Sequence, residues 1–330
     1  MDFQDLPKVE LHLHLDCTLS YEALQKLKPG TNYQDYVDNY MIPVKCPSLE
    51  KYIERTHRAL PLMQNPEQIR LIVDDLFRQL SEDNVIYAEI RYAPHLHLQE
   101  GMTPFEVVKT VNDAVEEGIR EFELGMRVIL CTLRNYSESR SLEVARLVEE
   151  FKGTNVAGMD IAGPEIGYDI QEHVEAFRQV KAAGIPCTAH AGESRGAESV
   201  WETLKHLRPD RVGHGVRSAE DRDLMLHLRD EDIHLEICPT SNVQTSVIET
   251  IKDHPIMTLL TNEISIGINT DARSITGTTL TSEYALLNEF FGWQKKDFLK
   301  ANLEAVRHAF VDNETKERLR ERLIGAYGIS

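Results

Sequence analysis

Cysteine and tryptophan are scarce in this chain, with five and two in 330 residues, and no CxxC pair occurs. Cys17, Cys46, Cys131, Cys187 and Cys238 are odd in number and scattered, so buried free thiols in a reducing cytosol are expected, not a disulfide framework. Positive charge is also short: 36 Lys and Arg face 54 Asp and Glu, for a formal net charge of −18. A nucleic-acid partner needs a basic stripe, and none is present. No stretch approaches the ~18 consecutive apolar residues of a membrane span, and the start lacks the basic and apolar regions of a signal peptide. The expectation is a cytoplasmic protein without nucleic-acid or membrane partners. Low-complexity segments, internal repeats and linkers rich in Gly, Ser and Pro are missing too, so residues 1–330 read as one domain. Nothing in the pattern reports the oligomeric state.

Against that background, the chain is organised around Thr188-Ala189-His190-Ala191-Gly192-Glu193. An imidazole and a carboxylate three positions apart stand where an apolar strand (Ile185-Pro186-Cys187 onward) gives way to a turn. Ala and Gly between them leave room for an ion or ligand near the backbone. A metal ligand beside an acid that does not bind the metal is the pair that metal-assisted hydrolysis needs. Near the N-terminus, Val9-Glu10-Leu11-His12-Leu13-His14-Leu15-Asp16 alternates with period two, which puts His12 and His14 on one face as a compact metal platform.

The spacing predicts helices through residues 20–83, broken around Lys28-Pro29-Gly30 and near Pro43 and Pro47. A long helical stretch from Leu49 is interrupted near Pro61 and restarts at Asn65-Pro66. Strands are predicted near 9–16 and 85–93, then at Met126–Leu133, Val156–Ala162, Ile185–His190, Arg211–Val216, His234–Cys238 and Ile264–Thr270. Helices are expected at 104–121, 138–152, 169–183, 196–207, 218–229 and 244–261, and through 281–328. Eight strands alternating with helices imply a parallel sheet closed into a (β/α)₈ barrel with extra helices after the first strand and at the C-terminus. An open doubly wound sheet is the alternative, but its GxGxxG turn is missing.

In such a barrel, chemistry gathers where strands end. His12, His14 and Asp16 close the first strand, Gly163 follows the fourth, and His190 and Glu193 close the fifth. His214 ends the sixth between two glycines, and Asn269-Thr270-Asp271 ends the eighth. His12, His14, His190 and Asp271 can make one metal site, and three imidazoles with a carboxylate suit Zn²⁺ best, with other divalent metals possible. Glu193 would shuttle protons, while His214 and Asp271 would orient an attacking water. The remaining histidines, including His95 and His97, are expected to be solvated or capping. HExxH, a P-loop, a Ser nucleophile elbow and the HxE…PCxxC deaminase signature are all absent.

Lys8–Asp16, Tyr87–Pro94, Gly158–Gly163, Thr188–Glu193, Gly213–Gly215, Cys238–Asn242 and Asn269–Asp271 together resemble the adenosine deaminase family, in family order and over nearly the whole chain. The resemblance implies a zinc ion on His12, His14, His190 and Asp271 and a water that displaces ammonia from C6 of a purine. It implies that Glu193 protonates N1, that the N–H of Gly163 meets N3, and that Asp16 contacts the ribose 5′-hydroxyl, with His14 also facing the substrate. Adenosine and 2′-deoxyadenosine are the implied substrates. The chain departs from the family at Cys17, usually Gly, and at Ala272, where many members carry an Asp that bonds the purine N7. A modified adenosine, adenine or another amino-heterocycle therefore stays open as substrate, as does a nucleoside-binding barrel without turnover. Helix 49–64 is expected to cover the pocket, with Thr56-His57 where the family has an aromatic residue.

Overall fold

Eight strands follow one another around the molecule, each next in sequence also next in space. The computed structural model describes residues 3–42, 45–46 and 49–328. The strands are β1 (Lys8–His14), β2 (Val85–Tyr92), β3 (Gly125–Leu133), β4 (Val156–Ala162), β5 (Thr188–Ala191), β6 (Arg211–His214), β7 (His234–Ile237) and β8 (Ile266–Ile268). All pair in parallel, β1 to β4 in one run and β5 to β8 in another. Two seams join the runs. A parallel bridge links Met159 to Cys187, and another links Leu13 to Asp271. At the second seam, His14 N–H donates to Asp271 O at 2.8 Å and Asp271 N–H to His12 O at 3.0 Å. The predicted (β/α)₈ barrel is thus the observed one.

The helices lie outside the strands, and their caps explain where they start. Asn65 caps helix Pro66–Glu82 with Pro at its first position, and Thr103 with Glu106 forms a reciprocal capping box on Pro104–Phe122. The predicted break at Lys28-Pro29-Gly30 falls between helices Tyr21–Leu27 and Tyr33–Tyr40, whereas Pro43 and Pro47 lie outside the described residues. Residues 281–328 resolve into three helices, Leu280–Phe291, Lys295–His308 and Asn313–Tyr327. Two expectations need correction. The later strands are shorter than predicted; in β5 the start shifts past Pro186, which has no N–H for a ladder and whose carbonyl accepts from Met159 N–H at 3.3 Å. Residues 244–261 are not one helix: Ser246 adopts a left-handed φ of 63° and Pro255 interrupts, leaving Pro239–Gln244 and Ile256–Thr261 as separate short helices.

The barrel interior is charged. Arg91 donates to Asp160 Oδ2 at 2.9 Å and to Glu236 Oε2 at 2.8 Å, and Arg211 donates to Glu236 Oε1 at 2.7 Å and to Glu89 Oε2 at 2.6 Å. All five side chains are fully buried. Such a network contributes little net stability over a hydrocarbon core, since desolvation offsets attraction. What it does provide is a fixed set of acceptors beneath the barrel mouth.

Candidate active site

Two of those acceptors turn two histidines. His12 Nδ1–H donates to Glu236 Oε2 at 2.8 Å, and His190 Nδ1–H lies 3.0 Å from Asp160 Oδ2. A carboxylate can only accept, so each contact puts the proton on Nδ1 and the lone pair on Nε2. Those lone pairs converge at the mouth. His190 Nε2 lies 3.1 Å from His14 Nε2, while Asp271 Oδ1 lies 3.3 Å from His12 Nε2 and 3.5 Å from His14 Nε2. His12 Nε2 is buried without a hydrogen-bond partner. Electron pairs crowded together in this way call for a shared cation. Donors about 2.0–2.1 Å from a tetrahedral zinc ion stand roughly 3.3–3.4 Å apart, close to these separations. The residues present therefore fit a divalent metal.

His214 also falls within the cluster; its ligand atom and those of His12, His190 and Asp271 all lie within 4.8 Å of one another. Its own hydrogen bonds give it a different part. Ile256 N–H donates to His254 Nδ1 at 3.2 Å, which leaves the His254 proton on Nε2 to donate to Asn242 Oδ1 at 3.3 Å. Asn242 Nδ2–H then donates to His214 Nδ1 at 3.2 Å. The neutral His214 ring accordingly carries N–H on Nε2 and presents a donor, 3.8 Å from Glu193 Oε2. Burial pushes the His214 and His14 imidazoles well below their usual range, favouring the neutral rings.

The two carboxylates facing this cluster are driven apart. Burial raises Glu193 well above the usual carboxylate range, reinforced by the negative charges of Asp271 and Glu165. Burial acts on Asp271 in the same direction, but the close contact with His12 and the fields of His214, His12 and His14 hold it well below that range. Ser241 Oγ also donates to Asp271 Oδ2 at 2.6 Å. Two neighbouring carboxyls shifted in opposite directions are the pattern that an acid–base pair requires. His214 and Asp271 both adopt left-handed backbone, with φ of 58° and 63°, an uncommon conformation for non-glycine residues that clusters at functional sites.

These groups floor a cavity of about 360 Å³. Every residue singled out from the sequence lies in the cavity or the cluster beneath it: His14, Asp16, Gly163, His190, Glu193, His214 and Asp271 line it, and His12 is buried behind. Asp16 does not end the strand as expected; it sits on a one-turn 3₁₀ segment, Leu15–Cys17, and burial lifts its carboxyl to about 6. Helix Leu49–Ala59 covers the cavity as predicted, and the aromatic missing at Thr56-His57 is supplied one turn earlier by Tyr52. Cys17, Tyr52, Ala272 and Ile275 form a buried apolar wall on that side.

Four of the other histidines, His97, His173, His234 and His254, are buried rather than solvated; His173 bonds Ser141 Oγ at 2.6 Å, and His254 accepts from Ile256 N–H at the start of helix Ile256–Thr261, a capping contact. His57 is exposed but lines the cavity rim. All five cysteines are buried and free. Sequence reasoning gave no role to Asp160, Glu236, Asn242 or Glu165. The available signal was an acid inside an apolar strand, as in Met159-Asp160-Ile161 and Leu235-Glu236-Ile237.

The family model for adenosine deaminase matches residues 7–326. An adenosine deaminase of Clostridium botulinum is 32% identical over 97% of this chain and 99% of its own. Among solved structures, an adenine deaminase from Arthrobacter aurescens superposes with a TM-score of 0.90 at 23% identity, covering 98% of this chain and 100% of its own. A zinc-bound amidohydrolase from Burkholderia ambifaria does so with a TM-score of 0.88 at 22% identity, covering 99% and 92%. The chain belongs to the adenosine deaminase family, hydrolases that act on carbon–nitrogen bonds and deaminate aminopurines.

Proposed function

We propose that this protein converts adenosine and 2′-deoxyadenosine, with water, to inosine and 2′-deoxyinosine plus ammonia, using zinc held by His12, His14, His190 and Asp271. The observation that carries the reading is the convergence of three imidazole Nε2 atoms and an ionised carboxylate opposite a protonated one. When bound, the ion lowers the pKa of a water towards ~7, making a nucleophile available at neutral pH.

The chain's own groups account for the remainder. Glu193, kept neutral by burial, donates its proton to ring N1, so C6 gains electrophilic character and negative charge does not build on the ring. His214 Nε2–H and the Asp271 carboxylate orient the attacking water at C6. As the C6–N bond breaks, one proton of the water ends on the departing amino nitrogen, which leaves as ammonia, and the other returns to Glu193 and restores its acid form. Gly163, whose φ of 88° suits glycine, turns its N–H towards N3, and Asp16 meets the 5′-hydroxyl.

A second reading keeps this chemistry and changes the substrate to a modified adenosine or adenine. It is favoured by the apolar wall of Cys17, Tyr52 and Ala272, which offers no carboxyl at position 272. Leaving a buried ring nitrogen unpaired costs about 1–3 kcal/mol of binding. The test is ammonia release by zinc-loaded protein across purine nucleosides, bases and nucleotides. Adenosine and deoxyadenosine as best substrates support the first reading, and another aminopurine alone supports the second. No turnover by metal-replete protein overturns both.

A further inference from the structure

Glu165 belongs to no assignment made so far. It follows Gly163-Pro164 just beyond β4 and is 1% exposed. Its Oε1 accepts from Gly192 N–H at 2.8 Å, and its Oε2 from the N–H groups of Glu193, Ser194 and Arg195 at 3.0, 2.6 and 2.9 Å. The Ser199 hydroxyl also donates to Oε1. Four consecutive backbone amides aimed at one carboxylate form an anion nest, and hydrogen bonds to an ionised acceptor are about twice as strong as neutral ones.

Position makes this anchor more than a solution for a buried charge. The amides it holds belong to the turn between β5 and helix Ala197–His206, and Glu193 is inside that turn. The turn begins at Gly192, whose φ of +65° swings the chain out of the strand, and it has five residues in which to reach the helix. The other end of the anchor is two residues from Gly163. Pro164 between them fixes one backbone angle. One carboxylate thus ties the segment that faces the ring's N3 side to the segment that carries the proton donor.

We infer that Glu165 is a positioning residue, which sets where the Glu193 carboxyl stands relative to the substrate ring. The inference rests on the reading of Glu193 as proton donor. Asp16 and three of the four metal ligands, His12, His14 and Asp271, lie outside this turn and its anchor, and the fourth, His190, is held within β5 by its contact with Asp160, so loosening the turn should act on the proton-transfer step and spare ground-state binding.

The experiment compares Glu165→Gln, Glu165→Asp and Ser199→Ala with the parent, as full-length zinc-loaded enzymes acting on the best substrate of the panel. Zinc content, thermal midpoint, kcat and KM are measured for each. The glutamine keeps the size but offers an NH₂ where amide donors need an acceptor. A misplacement of about 1 Å costs on the order of 10²-fold in rate, so kcat of Glu165→Gln should fall roughly 10- to 100-fold with KM within about threefold and zinc retained. Glu165→Asp should recover part of the loss. Ser199→Ala removes one donor and leaves the carboxylate; a fall in its kcat of about two- to fivefold, with KM held, carries the test if Glu165→Gln does not fold. In a Glu193→Gln background, Glu165→Gln should cost less than about threefold further, because the group it positions is gone. Unchanged kcat in Glu165→Gln, or equal losses in both backgrounds, would overturn the inference; for an unfolded Glu165→Gln, unchanged kcat in Ser199→Ala does so. Failure of the proton-donor reading itself would show separately, as full activity in Glu193→Gln alone.

Discussion

Glu236 Oε2 lies 2.8 Å from His12 Nδ1, with both side chains fully buried inside the barrel. The contact fixes the imidazole's tautomer and turns Nε2 to the mouth. Arg91 and Arg211 on the far side hold the Glu236 carboxyl well below its usual range against the opposing effect of burial. Replacing Glu236 with Gln should therefore weaken metal binding by about 10- to 100-fold, the usual effect of losing such a partner. Competition against a chromophoric chelator reads it directly. Unchanged affinity would mean that the ring is oriented by something else.

Glu193→Gln removes a transferable proton and keeps the shape. Turnover should drop by about 10²- to 10⁴-fold, with zinc content unchanged and KM within a few-fold. Steady-state kinetics with metal analysis on the same preparation checks both halves. Full deaminase activity in this variant would falsify the proposed chemistry.

Gly192→Ala meets two obstacles. A Cβ there would lie 2.5 Å from Val200 Cγ2, and the φ of +65° strains any side chain. The expected cost is about 1–3 kcal/mol of stability, together with a fall in kcat as the turn carrying Glu193 shifts. Urea unfolding monitored beside activity would show it. Parent-like behaviour in both would show that Val200 and the turn relax freely.

Glu283 gives a pH prediction away from the metal cluster. Burial pushes its carboxyl up to about 8, only partly opposed by hydrogen bonds from Thr240 and Thr278, and Oε2 has no partner. The folded protein keeps this proton, while the unfolded chain releases it near the ordinary 4.5. The stability it contributes is complete below about 4.5 and is lost as pH rises towards 8. Glu283→Gln removes that loss. The variant should match the parent near pH 4.5 and exceed it at pH 8 by an amount on the order of 2–4 kcal/mol. Denaturation curves at the two pH values decide it; a constant difference, or none, would refute the shift.

The chain's own pattern determined a good deal. Period-two alternation over Val9–Asp16 put His12 and His14 on one face, because side-chain direction in a strand depends only on local backbone. Turn residues and helical periodicity gave eight strands in order. Polar residues at the ends of those strands then marked one mouth, so His190, Glu193, His214 and Asp271 could be gathered before any coordinates.

Tertiary structure decided what depends on partners distant in sequence. Residues 244–261 have helical composition, yet Ser246 and Pro255 divide them once the segment must wrap the barrel end. Asp160 and Glu236 are legible as buried acids, but that they orient His190 and His12 follows only when β4, β5, β7 and β1 are brought around one axis. His214 is set apart from the proposed metal ligands by its place between two glycines, but which of its nitrogens carries the proton follows only from the bonds through Asn242 and His254. Glu165 has no local signature at all. Its role comes from meeting amides 27 to 30 positions away, and hydrogen bonds of that kind are set by closure of the fold, which no local periodicity encodes.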